Sequence, residues 1–264
     1  MQNQQYMNIL PRQLSEQETN RYFFPRKVPS WTWITVLIGI LIGIIGGILN
    51  INLIVISIGV ILCVIGTVTA LRIRKSNPTD DQYDQWLQEQ AEDLYLKGLH
   101  TLNIDENDLI EQRLLIHSFV LPCSMLMDDY TPEEVLVTRG KDGQLRCSVN
   151  VYTYIFLTSR FIGVFESSIN AFRHWETFER NEIYPYHYIT NATTRLIRDM
   201  VLIGDKQYPY RIECFCLRTS SNSRIQFGAA VKAILLDRTS NAPTSLLPHA
   251  GFDRTLNKLR QLLL

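Results

Sequence analysis

What this sequence lacks narrows its function before anything in it is read. Lys+Arg and Asp+Glu are equal at 26 each, so no basic excess points to nucleic acid, and none is expected as a partner. The five cysteines, Cys63, Cys123, Cys147, Cys214 and Cys216, are too few and too scattered for a secreted disulfide scaffold. There is no Walker loop, no dinucleotide fingerprint, no HExxH and no nucleophile elbow. The histidines, His100, His117, His174, His187 and His249, are dispersed, and only His174 and His187 could converge across neighbouring strands. The carboxylate pairs Asp128-Asp129 and Glu133-Glu134 flank Pro132 and read as a solvated loop. No catalytic residue, cofactor or metal site follows from these residues, and an enzyme of unrecognised type is the least favoured class.

The most telling absence is of charge between Trp31 and Leu71. A helix rises ~1.5 Å per residue and the hydrocarbon core is ~30 Å thick, so about 20 residues cross it once. The run is twice that length, and Asn50-Ile51-Asn52 sits at its middle. Asparagines are costly inside a bilayer and at home in a turn outside it. The expectation is therefore a two-helix transmembrane hairpin, helices 31–49 and 53–71, after a polar segment 1–30. Arg21, Arg26 and Lys27 precede it, and Arg72, Arg74 and Lys75 follow. The positive-inside bias places both flanks, and so both termini, in the cytoplasm. Trp31 and Trp33 stand where interfacial tryptophans belong, completing a membrane-interface set with Arg26, Lys27, Arg72, Arg74 and Lys75. Cytoplasmic placement would leave the sequon Asn191-Ala192-Thr193 inert.

Within the first helix, Gly39, Gly43 and Gly47 recur every four residues and form a helix-packing stripe. Its partner is either the second helix, with Gly59, Cys63 and Gly66, or a neighbouring protomer. Neither helix carries an ionisable side chain, so an anchor is favoured over a transporter.

Past Leu71 the chain becomes polar. Ser76-Asn77-Pro78-Thr79 breaks the second helix, and Thr79 or Asp80 can cap the next. Tyr83, Leu87, Ala91, Leu94 and Tyr95 recur at helical spacing. Segment 80–108 holds nine acidic residues against Lys97 alone. Residues 72–110 are thus expected as an acidic helical linker: a stalk repelled by the lipid, a surface docked on basic parts of the same chain, or a solvated face.

Residues 111–264 are expected as a β-rich domain closed by a helix. Lys141-Asp142-Gly143 lies between β-prone runs, as in a hairpin, and Gly204-Asp205-Lys206 marks another turn. Short β-prone runs near 134–138, 146–157, 161–165, 174–179, 183–189, 194–203, 208–217 and 223–228 suggest a sandwich or small barrel. Cys214 and Cys216 share one face of a strand, read as apolar packing. Tyr184, Tyr186 and Tyr188 alternate along another strand, as core or rim aromatics or as a recognition surface, the packing reading being favoured. Phe252, Leu256, Leu259 and Leu263 form one apolar helical face, with Arg254, Lys258 and Gln261 away from it. The class is α+β: an N-terminal transmembrane hairpin, then a cytoplasmic β-rich domain with a C-terminal helix.

Two segments, Tyr154-Ile155-Phe156-Leu157-Thr158-Ser159-Arg160-Phe161-Ile162-Gly163-Val164-Phe165 and Tyr184-Pro185-Tyr186-His187-Tyr188-Ile189-Thr190, resemble the bacterial pleckstrin-homology-like (GRAM-related) domains over about 134–264. The stretch Phe227 to Leu236, readable as an extra helix, and the long loop 237–251 depart from that pattern. The resemblance implies a PH-like binding or assembly module tethered to a bacterial inner membrane. It also implies a ligand-binding role for basic residues of the first hairpin, here Arg139, Lys141 and Arg146, with a solvated hairpin as the alternative. Two functions are carried forward: a membrane-anchored scaffold engaging an unidentified protein partner or ligand, and an effector whose transmembrane helices form a homo-oligomer and perturb the bilayer.

Overall fold

The computed structural model describes residues 16–48, 53–120, 135–173, 178–203, 206–220 and 224–234, together with 254, 257–259 and 261. The chain divides into two compact units, Leu14–Tyr83 and Asp84–Leu264, and is of mixed helix and sheet.

The first unit is helical: α1 (Glu16–Phe23), α2 (Ser30–Ile48), α3 (Leu53–Lys75) and the first residues of α4 (Asp80–Thr101). Helices α2 and α3 pack antiparallel through glycine. A Cβ on Gly39 would lie 2.6 Å from the Gly59 carbonyl oxygen and 2.7 Å from Cys63 Sγ. One on Gly66 would lie 2.6 Å from Val36 Cγ2, and one on Gly46 would lie 3.1 Å from Ile56 Cγ1. The seam therefore uses Gly39 and Gly46 on α2 against Gly59 and Gly66 on α3. On each helix the pair is seven apart, as in a coiled-coil seam. A Cβ on Gly43 would meet nothing within 4 Å, although the Gly43 backbone itself crowds Gly59. Gly47 belongs to α2, but its surroundings lie outside the described residues. So does the turn around Asn50 and Asn52.

The outward faces of this pair are apolar: Leu37 and Ile48 on α2 are 60% and 77% exposed, Ile54 and Val64 on α3 63% and 55%. Among the described residues one apolar helical stretch, beginning at Ile54 and including α3, is long and apolar enough to cross a membrane. The apolar helix Ser30–Gly46 is shorter. The ends of the pair are tied together. Arg26 N–H donates to Asn77 Oδ1 at 3.0 Å, and Asn77 Nδ2 donates to the Arg26 carbonyl at 3.1 Å. Tyr22 stacks on the fully buried Tyr83 at 4.4 Å and donates its hydroxyl to Asp80. Thr79 caps α4 with Gln82 as reciprocal partner, Gln82 N–H to Thr79 Oγ1 and Thr79 N–H to Gln82 Oε1.

The second unit is built on open antiparallel sheets; none closes into the barrel that was one expectation. A four-stranded sheet has the order β1 (Leu109–Phe119), β4 (Val149–Thr158), β5 (Phe161–Asn170), β6 (Glu179–Pro185). A three-stranded sheet has the order β7 (Ile189–Ile203), β8 (Lys206–Thr219), β9 (Arg224–Ile234), and β2 (Val137–Arg139) pairs with β3 (Leu145–Cys147) around Lys141-Asp142-Gly143. Gly143, at φ +81°, takes the left-handed position of that turn.

Alternation along β4 divides its side chains between two cores. Ile155 and Leu157 join Leu114, Ile116, Ile162, Val164, Phe215 and Leu217, with Leu259 of the C-terminal helical segment fully buried among them. Tyr154 and Phe156 point to the other face, which α4 covers. Tyr95 of α4 lies 5.6 Å from Tyr154 and 5.7 Å from Phe156, ring centre to ring centre. Gly98 permits the approach: a Cβ there would sit 3.0 Å from the Phe165 ring. Helix α4 ends in a Schellman motif with Asn103 at φ 52°, Ile104 N–H reaching the Leu99 carbonyl and Asn103 N–H the His100 carbonyl.

Several expectations change here. From Asp84 onward the acidic helix is part of the β-rich unit, not a separate linker, because its apolar stripe covers a sheet face. Its acids dock on basic residues: Glu92 pairs with Arg113, and Asp84 with Arg146. Strand β1 was not expected, because its alternation breaks at Arg113. That residue sits at φ 49°, and the ladder slips between Glu111↔Leu157 and Leu114↔Ile155, one extra residue forming a bulge. Phe227 to Ile234 is strand, not helix. Its pattern is blurred by a second slip, Phe215↔Phe227 followed by Cys214↔Ala229, which leaves Gly228 as the extra residue. Pro185 ends β6 and residues 186–188 form a 3-10 turn, so the three tyrosines do not share a strand face. Tyr184 is buried, Tyr186 donates its hydroxyl to the Thr158 carbonyl at 2.9 Å, and Tyr188 is 53% exposed. Cys214 and Cys216 are both buried, as read. Phe252, Leu256 and Leu263, the loop 237–251 and the turn residues Gly204 and Asp205 lie outside the described residues.

Candidate binding site

Where β4 begins and β5 ends, the four-stranded sheet buries polar side chains among the apolar ones. Ser148, Asn150, Thr153, Ser167, Ser168 and Asn170 all have 2% exposure or less. Buried polar atoms are costly unless hydrogen-bonded, and most of these are. Ser148 Oγ accepts from Leu136 N–H and Ser168 Oγ from Phe178 N–H. Thr153 donates to Glu166 at 2.7 Å. Asn150 Nδ2 donates to the Cys147 carbonyl, which leaves its Oδ1 to accept from His117 Nε2 at 3.1 Å. That network assigns the proton of neutral His117 to Nε2. The ring stacks on Tyr152 at 4.4 Å, and burial pushes the His117 pKa down to about 4. Cys147 donates its thiol to the Val120 carbonyl, and burial pushes its pKa up to about 12, so it is no nucleophile at neutral pH.

Two polar atoms here have no protein partner, Ser167 Oγ and Asn170 Nδ2. The Asn170 amide is oriented by an Asx turn: its Oδ1 accepts from Phe172 N–H at 2.9 Å and Arg173 N–H at 3.2 Å. Nδ2 must then remain a donor without an acceptor in the chain. Asn170 lines a half-open pocket of about 110 Å³ between β5 and α4, with Ser168 and Ile169 on one wall and Trp86, Gln90, Asp93, Leu94 and Lys97 on the other. Asp93 and Lys97 stand at i, i+4 on α4 and are exposed; the Lys97 ammonium also pairs with Glu179. Neither Asn170 nor this pocket is signalled by the sequence. A buried asparagine and a loop asparagine look the same there, and α4 had no assigned surface to face.

The basic hairpin is not the open anion site the resemblance implies. Arg146 is 5% exposed, and its guanidinium is shared between two carboxylates: Nε and Nη2 reach Asp84 at 2.7 and 2.6 Å, Nη1 and Nη2 reach Asp142 at 2.9 and 2.8 Å. The same contact holds the Asp142 carboxyl well below the usual carboxylate range, at about 2. Arg139 and Lys141 are exposed, so the trio does not converge. In the helical unit, Arg26, Lys27, Trp31, Trp33, Arg72, Arg74 and Lys75 are all exposed, at the ends of α2 and α3 that Asn77 ties together. His174 lies outside the described residues, so its pairing with His187 does too. No group of three or more His, Cys, Asp or Glu side chains could hold a metal among the described residues.

Comparison with protein-family models, with curated proteins and with solved structures finds no match to this chain.

Proposed function

We propose that this chain is a membrane-anchored binding module, in which α2 and α3 cross the bilayer as a hairpin and the mixed α/β unit engages a protein partner or ligand in the cytoplasm. The observation that carries this reading is the division of surfaces on the helix pair. Glycines and the buried Thr32 line the seam, while Leu, Ile and Val without a single charge face outward. An uncharged apolar surface of that length is stable against lipid and not against water. Basic flanks on α2 and α3 favour the cytoplasm for both ends, and the Arg26–Asn77 hydrogen bonds suit a hairpin whose ends share one side. The strands followed by a helical segment with Leu259 in the core suit the PH-like plan that the motif resemblance implies. The effector reading loses ground, because the seam occupies Gly39, Gly46, Gly59 and Gly66 within one chain. We assign no reaction.

Protease added to intact cells carrying the protein should leave residues 72–264 whole, and permeabilised cells should lose them. Alkaline carbonate should fail to extract the chain. Release by carbonate would overturn the anchor, and cleavage from outside would overturn the orientation.

A further inference from the structure

The helical unit segregates its charges in a way that orientation in a membrane does not require. From Thr19 to Thr79 there is no acidic residue, and then Asp80 and Asp81 open α4. Within that span Arg26 and Lys27 precede α2, and Arg72, Arg74 and Lys75 lie in the last turn of α3. All five are exposed, and among the described residues none has a carboxylate partner. In the β-rich unit, by contrast, Lys97, Arg113 and Arg146 each take a carboxylate from elsewhere in the chain. The positive-inside bias counts Lys and Arg and is nearly indifferent to neighbouring acids. It accounts for the five cations and not for their isolation from acids.

The paired hydrogen bonds between Arg26 and Asn77 hold the two basic segments at one end of the helix pair. The sequence at the other end, 48–53, carries no charge. Next to the cations along the chain, Phe24, Trp31 and Trp33 are 64%, 54% and 60% exposed. Aromatic rings suit the layer between hydrocarbon and headgroups, and cations at that depth meet lipid phosphates. We propose that this basic end binds the headgroups of anionic phospholipids, so that the chain gathers them from a mixed bilayer. The site rests on α2 and α3 crossing the bilayer. Its ligand is the lipid and not free phosphate, because the exposed Ile34 and Leu71 continue the surface from the cations and receive the acyl chains.

The test is electron paramagnetic resonance of the full chain in phosphatidylcholine vesicles, with a trace of spin-labelled phosphatidylglycerol or spin-labelled phosphatidylcholine as probe. One cation near an anionic headgroup gives about five-fold in association. Lipids at the uncharged end gain nothing, so phosphatidylglycerol should associate about three-fold more than phosphatidylcholine when both ends are averaged. In ~1 M salt, where the screening length is ~3 Å, the preference should fall to near parity. Arg72→Gln/Arg74→Gln/Lys75→Gln should lower it, and so, independently, should Arg26→Gln/Lys27→Gln. If one variant fails to insert the other decides, and if both fail the salt dependence of the native chain decides. Arg195→Gln/Arg198→Gln/Arg218→Gln removes exposed cations of the β-rich unit and should leave the preference unchanged. Equal association of the two lipids with a chain that restricts both would overturn the proposal and leave the anchor standing. No restricted lipid of either kind would overturn the anchor, and the proposal with it. A preference that survives both interface variants, or is lost with the strand arginines, would overturn the proposal alone.

Discussion

Replacing Leu259 by alanine tests how the β-rich unit is held together. Leu259 has no exposed surface and lies among Leu114, Ile155, Phe215 and their neighbours, between side chains of both larger sheets. A short helix is marginal in water by itself, so this segment keeps its structure by burying that face. Truncating a buried leucine removes its transfer free energy and leaves a cavity, together about 2–5 kcal/mol. For a domain of this size each kcal/mol moves the melting midpoint by ~2–4 °C, so Leu259→Ala should melt about 10 °C lower. Leu259→Asp buries an unpaired carboxylate as well, a penalty comparable with the roughly 5–15 kcal/mol that holds a domain together, and should not fold. Lys258, on the other face, is 42% exposed and shares Glu111 with Arg254. Exposed pairs contribute little, so Lys258→Ala should shift the midpoint far less than Leu259→Ala. The assay is a near-UV circular dichroism melt of the full chain in detergent. A Leu259→Ala chain that melts with the native one would refute the helix-covered core and favour a C-terminal segment free to lie elsewhere.

Glycine substitutions should separate the helix seam from its flank: Gly59→Val forces a side chain into the Gly39 carbonyl and the Gly43 backbone and should lower the yield of folded protein from membranes. Gly43→Ala, whose methyl would meet open space, should leave that yield unchanged. His117 gives a pH dependence of definite sign. Its pKa near 4 in the folded chain lies below the ordinary ~6.5, so its contribution is complete above pH ~6.5 and is lost as pH falls toward 4, by up to about 3 kcal/mol. His117→Gln should flatten that part of a stability-against-pH curve, and an unchanged slope would place the titration elsewhere. Arg146→Ala should return the Asp142 carboxyl from about 2 toward the ordinary range, read by NMR titration, although the Gln144 N–H that Asp142 also accepts will keep part of the shift.

The sequence by itself determined the elements whose cause is local. An uncharged run of this length can only be apolar helix, Lys141-Asp142-Gly143 can only turn, and the alternation from Arg146 to Leu157 gives a strand whatever lies on either side. The same holds for Leu259, whose place in the core follows from the spacing of its apolar neighbours. Tertiary structure decided what depends on partners distant in the chain. Strand β1 is held by pairing with β4 across a bulge at Arg113, a residue whose left-handed backbone no periodicity announces. The close contacts on α2 were chosen by Gly59, Cys63 and Ile56 on the opposite helix, which bring Gly46 into the seam beside Gly39 and the Gly43 backbone. Arg146 looked like a surface charge until Asp84, 62 residues earlier, took half of its guanidinium. Asn170 Nδ2 is unmet only in the folded chain, because a donor is unmet only when folding has removed the water that would otherwise meet it.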